Sequence, residues 1–156
     1  MCVYGRNKKW KENENPTEKS LPVISGITAN NGIYYYTDDM PLKNEVFKDC
    51  LTITTRGEYS GTLFYHEGDF VLANNILTLP FANINKYTSL FLKVAIEQLG
   101  YGGYDNYPRK DTLINDIIKL PITPTGEPDW PYMEEYMKVV MEEQEKVVER
   151  LGKEIA

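Results

Sequence analysis

Residues 129–156 place the strongest constraint on what this chain can become. Met133, Met137, Val140, Gln144, Val147, Leu151 and Ile155 recur at spacings of three and four, which puts them on one stripe of a helix. Asp129 is placed to cap its first amides, Pro131 is tolerated in a first turn, and Glu134 and Glu135 complement the helix dipole. The stripe is sustained for about seven turns at roughly 3.6 residues each, longer than a small sheet could cover. Folding back onto the chain's own sheet is the competing reading. Otherwise the stripe needs a second helix, and Gln144 in its middle is the kind of polar interruption that fixes register.

Upstream of a Pro/Gly-rich connector, Thr123 to Pro128, the pattern is different. From Leu21 to Leu79, short runs rich in β-branched and aromatic residues alternate with turn signals. The runs are Leu21 to Ser25, Ile33 to Thr37, Leu51 to Thr55, Gly61 to His66, Phe70 to Ala73 and Ile76 to Leu79. Turns are expected at Asn30-Asn31-Gly32, Arg56-Gly57, Glu67-Gly68-Asp69 and Asn74-Asn75. A helix from about Lys86, capped by Asn85 and stopped at Gly100, carries Leu90, Phe91, Val94, Ala95 and Leu99 on one face that should pack on the sheet. Asp111 to Asp116 reads as a short helical turn and Ile117 to Ile122 as a last strand. The expected fold is α+β: a curved, mostly antiparallel β region with a packed helix, then a long projecting C-terminal helix of coiled-coil type. The domains divide as 1–20, a basic N-terminal segment whose order is left open, 21–128, and 129–156.

Composition narrows the function classes. No apolar run approaches the roughly 20 residues that span a bilayer, and the N-terminus lacks a signal-peptide core, so a cytoplasmic protein is expected. Two distant cysteines and one histidine do not make a disulfide framework or a zinc site. The net charge of −6 disfavours wholesale nucleic-acid coating. Residues 129–156 hold 8 acids against 4 bases and so supply −4 of it, whereas Arg6, Lys8, Lys9, Lys11 and Lys19 leave residues 1–20 locally basic and suited to a phosphate backbone. A solvated terminus is the bland alternative. The 12 tyrosines cluster in segments such as Tyr34 to Tyr36 and Gly100 to Tyr107, as contact surfaces do, or as rings packing over edge strands do.

Catalytic chemistry finds no constellation. His66 is expected at a hairpin tip, with no Ser or Cys motif beside it. Gly100-Tyr101-Gly102-Gly103-Tyr104-Asp105 lacks the third glycine of a dinucleotide loop and a strand directly before it. Asp38-Asp39 reads as a solvated turn rather than a catalytic dyad. A small hydrolase built on His66 and Cys50 is disfavoured for want of a motif.

Several blocks, in order, carry a family likeness. Pro22 to Ile33 (PVISGITANNGI), Ile53 to Tyr65 (ITTRGEYSGTLFY), Phe70 to Leu79 (FVLANNILTL), Ile118 to Pro121 (IKLP) and Gly126 to Tyr136 (GEPDWPYMEEY) together resemble the target-recognition domain of specificity subunits from Type I and BcgI-like restriction-modification systems, running into its spacer helix. The resemblance covers about Leu21 to Met141. It implies an α/β unit that reads part of a bipartite DNA site and a helix that pairs in an antiparallel coiled coil. A full specificity subunit has two such domains and 156 residues allow one, which implies a half-subunit, a separately encoded recognition protein or a fragment.

The implied function is sequence-specific binding of double-stranded DNA without catalysis, directing methyltransferase and endonuclease subunits to their site. The implied partners are a methyltransferase subunit, with a restriction subunit as a further candidate, and a second helix in a homodimer or paired half-subunits; no membrane is involved. No cofactor is expected on this chain, S-adenosylmethionine belonging to the methyltransferase. Base readout is assigned to the turns holding Thr28, Asn30, Asn31, Arg56, Tyr59, Ser60, Asn74 and Asn75, converging on one concave face. The four asparagines are equally well explained as turn formers. Backbone contacts are assigned to Arg109 and Lys110 with Lys8, Lys9 and Lys11. Oligomerisation is assigned to the stripe from Met133 to Ile155, with Trp130 and Tyr132 packing back on the domain. The runner-up is an assembly or regulatory fragment that acts through its helix and binds DNA weakly.

Overall fold

The computed structural model describes residues 2–5 and 9–155. Five strands, β1 (Leu21–Ile24), β2 (Ile33–Thr37), β3 (Phe47–Thr54), β4 (Leu63–Leu72) and β5 (Ile76–Leu79), form one sheet in the order β2-β1-β4-β3-β5. Three helices follow, α1 (Lys86–Glu97), α2 (Lys110–Leu113) and α3 (Trp130–Ile155). Pairing is antiparallel except between β1 and β4, which run parallel at Val23 with Val71 and Ile24 with Leu72. The fold is α+β with a mixed, mostly antiparallel sheet.

Alternation along β3 and β4 serves two cores. Leu51, Ile53, Leu63, Leu77 and Leu79 face α1 and meet Leu92 and Ile96. On the opposite face Ile24, Cys50, Phe70, Leu72 and Ile76 form a second cluster. Ile76 and Leu72 meet there although β3 lies between their strands, so the sheet is strongly coiled. A bulge adds to the coil: the β3–β4 register shifts at Asp49, which takes a left-handed φ of 45°, and its Oδ1 accepts the Gly68 N–H at 2.7 Å.

That bulge corrects the expected hairpin at Glu67-Gly68-Asp69. The tripeptide carries turn chemistry, but Gly68 uses its φ of 79° to pass the bulge and β4 continues to Leu72. His66 therefore lies inside a strand rather than at a tip. It is buried, opposite Cys50, with Nε2 2.9 Å from Thr52 Oγ1 and its ring 4.9 Å from that of Phe70. Ile117 to Ile122 also differs from expectation. It forms no strand, and Ile122 makes one isolated bridge to Pro128 that closes the connector before α3.

The buried face of α1 is rotated relative to the periodicity. Asn85 caps α1 by accepting from Tyr87 N and Thr88 N, as expected. The residues α1 buries are Thr88, Ser89, Leu92 and Ile96, however, and Val94 is exposed. Phe91 instead meets Tyr136 of α3 edge-on at 6.0 Å. The apolar residues of α1 are thus shared between the sheet and α3, and the pattern alone does not say which neighbour takes which.

The N-terminal segment is part of the sheet's protection. Val3 N–H donates to Thr78 Oγ1, Tyr4 bridges Leu77, and Gly5 N–H donates to Ile76 O, which covers the outer edge of β5. Gly5 is required here, because a Cβ would collide with the Ala73 carbonyl. Trp10 is buried against Val23 and Val71 and donates Nε1–H to Leu72 O at 2.9 Å. Among the described residues no helix is long and apolar enough to cross a membrane and no His/Cys/Asp/Glu group could hold a metal ion.

Candidate nucleic-acid interface

Two consecutive turns, the segment entering α2 and the N-terminal strap meet at one end of the sheet. The segment leaving β3 (Thr55, Arg56), the β4–β5 turn (Asn74, Asn75) and the segment entering α2 (Tyr107, Pro108, Arg109, Asp111) surround an open cleft of about 920 Å³ whose remaining wall is Tyr4 and Gly5. Each wall is locally fixed. Asn75 reverses the chain with a φ of 63°, and its carbonyl accepts the Thr55 N–H at 2.8 Å. Tyr4 Oη accepts the Lys110 N–H at 2.8 Å, tying the strap to the first turn of α2. The rim offers exposed Arg56, Asn74, Asn75 and Arg109, side chains that present the paired donors and acceptors used on base edges and phosphates.

The wall beyond β3 is held by a second contact. Ser60 is buried and donates its hydroxyl to Gly103 O at 2.6 Å. Next to it Gly61, at φ 84°, leaves no room for a Cβ against the Tyr101 carbonyl. The Gly/Tyr-rich segment that ends in Tyr107 is thereby pinned to the β3–β4 turn. Tyr101 Oη also bonds Asp116; burial, followed by that bond, raises its hydroxyl's pKa.

The sequence-predicted residues divide accordingly. Arg56, Asn74, Asn75 and Arg109 share the cleft. Ser60 spends its hydroxyl inside the wall, and Tyr59 is exposed on the same turn without lining the cleft. Thr28, Asn30 and Asn31 are exposed on the β1–β2 tip, which is anchored to β4 by Asn31 Nδ2–H donating to Tyr65 O at 3.0 Å. Lys9 and Lys11 are exposed on either side of buried Trp10, and Lys110 is half-buried beside the cleft; Lys8 lies outside the described residues. Sequence reasoning did not single out Tyr4, Thr55, Pro108 or Asp111, and it flagged Tyr107 only as part of the tyrosine-rich contact segment from Gly100.

The Cys50 and His66 pair is a core feature. Burial, and then the Asp49 charge, pushes the Cys50 thiol up to about 12, so it is protonated at neutral pH. Burial alone lowers the His66 ring to about 4 and keeps it neutral.

At the other end of the chain, α3 starts on the domain and leaves it. Met133 is fully buried, Trp130 packs on the α1-side core, and Asn85 Nδ2–H donates to Glu134 Oε2 at 2.9 Å. The Lys138 ammonium, 2.7 Å from Glu134 Oε1, and then Asn85 hold that carboxyl below the usual carboxylate range. Met137, Val140 and Met141 are half-buried, and residues 142–155 are exposed throughout. The helix projects, with Val147, Leu151 and Ile155 uncovered. Tyr132 departs from expectation: it is 52% exposed and stacks on Tyr136 at 6.1 Å instead of packing into the domain.

The sequence of this fold matches a known family. A model of the Type I restriction modification DNA specificity domain matches residues 1–150, and the chain belongs to that family. It is 33% identical over 138 residues, 84% of its length, to the type II restriction enzyme specificity subunit S.BcgI of Heyndrickxia coagulans. It is 32% identical over 100 residues, 62% of its length, to a putative type I specificity subunit of Mycoplasma pneumoniae. The chain spans 38% and 31% of those two relatives. No solved structure matches it.

Proposed function

We propose that this chain is a single target-recognition unit that binds double-stranded DNA sequence-specifically, without catalysis of its own, and delivers methyltransferase and endonuclease subunits to their site. One observation carries the reading: in a chain of the DNA specificity family, Arg56, Asn74, Asn75 and Arg109 converge on one open cleft at the end of the sheet. Arg56 and the two asparagines read base edges, while Arg109, Lys110, Lys9 and Lys11 contact phosphate. Thr28, Asn30, Asn31 and Tyr59 extend the contact beyond the cleft from the neighbouring turns.

The uncovered stripe of α3 supports the second half of the reading. Val147, Leu151 and Ile155 pair with a second helix, from another copy or a matching half-subunit, and the assembled helices dock a methyltransferase subunit that carries S-adenosylmethionine. The complex works in the cytoplasm, where its DNA is. Selection of duplexes from a random pool by the purified chain, followed by salt titration of the winner, tests the reading. A defined motif whose affinity falls steeply with salt is expected; a pool without a motif contradicts it.

A further inference from the structure

The cleft contains one group that a surface made only for phosphates would exclude. Asp111 lines it together with Arg56, Arg109, Asn74 and Asn75. Its side chain is exposed, and among the described residues no hydrogen bond or ion pair engages the carboxylate. A carboxylate repels the DNA backbone, so any phosphate close to this wall is bound less well because of it. A carboxylate is favourable on DNA where it accepts from an exocyclic amino group in the major groove, cytosine N4 being the usual partner. Asp111 is the second residue of α2, on a helix turn rather than on a loop tip.

Resting on the DNA-reading role proposed above, we infer that Asp111 is a specificity-determining residue that selects a cytosine amino group at one position of the target. The flanking arginines then serve two purposes: they hold the duplex in the cleft against the repulsion of Asp111, and they leave the acid free for a base edge. The competing role is structural, since an aspartate in a first turn favours the helix dipole by itself. That role predicts an effect on folding and none on base preference.

Duplex selection with the wild-type chain, Asp111→Ala and Asp111→Asn separates these outcomes, with thermal melts confirming that all three are folded. The wild type is expected to recover a motif with cytosine fixed at one position. Asp111→Ala should lose preference at that position alone, by about tenfold or more, while binding non-specific duplex more tightly. Asp111→Asn should move the preference toward adenine, which presents the donor and acceptor an amide matches. Identical motifs from all three proteins would overturn the assignment and leave Asp111 with its dipole role. A wild-type pool with no motif would overturn the DNA-reading role, and the assignment with it.

Discussion

Asparagine illustrates how much a single residue says in advance. Asn30, Asn31 and Asn75 all hold left-handed φ values, 48°, 53° and 63°, which explains why each marks a turn: the short amide side chain tolerates that conformation. The turns are therefore legible, but the direction of each side chain depends on the coil of the sheet, to which the irregularities at Asp49 and between Val23 and Ile24 contribute and which no local pattern announces. The bulge at Asp49 hid the place of His66, whose sequence neighbours all carry turn chemistry. Its burial yields a prediction. The ring titrates at about 4 in the folded chain against 6.5 when free, so the unfolded chain binds the extra proton between those values. Stability is full above pH 6.5, falls as pH drops toward 4 and levels off below it, a loss on the order of 3 kcal/mol. Denaturant melts at pH 7 and pH 4.5 should show that loss in the wild type and a smaller one in His66→Gln. For Arg109→Ala, binding should weaken alike on every duplex with the salt slope reduced by about one unit, which a titration of two unrelated duplexes reads.

Elements were easier to foresee than the faces they bury. β1, β2, β5, α1 and α3 sit close to where their patterns place them, because period and capping are local signals. The face α1 turns to the sheet was not legible, since Leu92 and Ile96 alternate with Phe91 and Ala95 around a helix that has two apolar neighbours. Nor could the sequence reveal that Ser60 and Gly61 latch the Gly/Tyr-rich segment, a contact 43 residues apart. Gly61→Ala should displace that segment, since the added Cβ meets the Tyr101 carbonyl and the φ of 84° is strained for alanine. A destabilisation of more than about 1 kcal/mol and weaker duplex binding are expected by melt and titration. Along α3 the two halves should respond differently. Met133→Ala, at a fully buried site, should cost about 2–5 kcal/mol. Val147→Glu and Leu151→Glu, at exposed sites, should leave the melting temperature nearly unchanged while abolishing helix pairing, as sedimentation would show.

At the scale of the molecule, the cleft and the free helix lie at separate places in the chain, and a recognition unit needs both. In the proposed function the turns of the sheet choose the sequence, and α3 carries that choice to the subunit that acts on the DNA. The charge distribution suits the proposed division: α3 and its flanks supply −4 of the net −6, and acidic charge there disfavours contact between the helix and a phosphate backbone. Sequence alone pointed to both parts because their local patterns differ so sharply. It could not show that Tyr4, Tyr107 and Asp111 complete the cleft, since they come together only when the N-terminal strap closes on α2. The most direct test is to map DNA methylation in cells that express this chain with its cognate methyltransferase subunit, for the wild type and for the double replacement Arg56→Ala with Asn75→Gly. One methylated motif is expected for the wild type and a relaxed or lost motif for the double variant, with both chains folded; the same motif at the same occupancy in both would contradict recognition through this cleft.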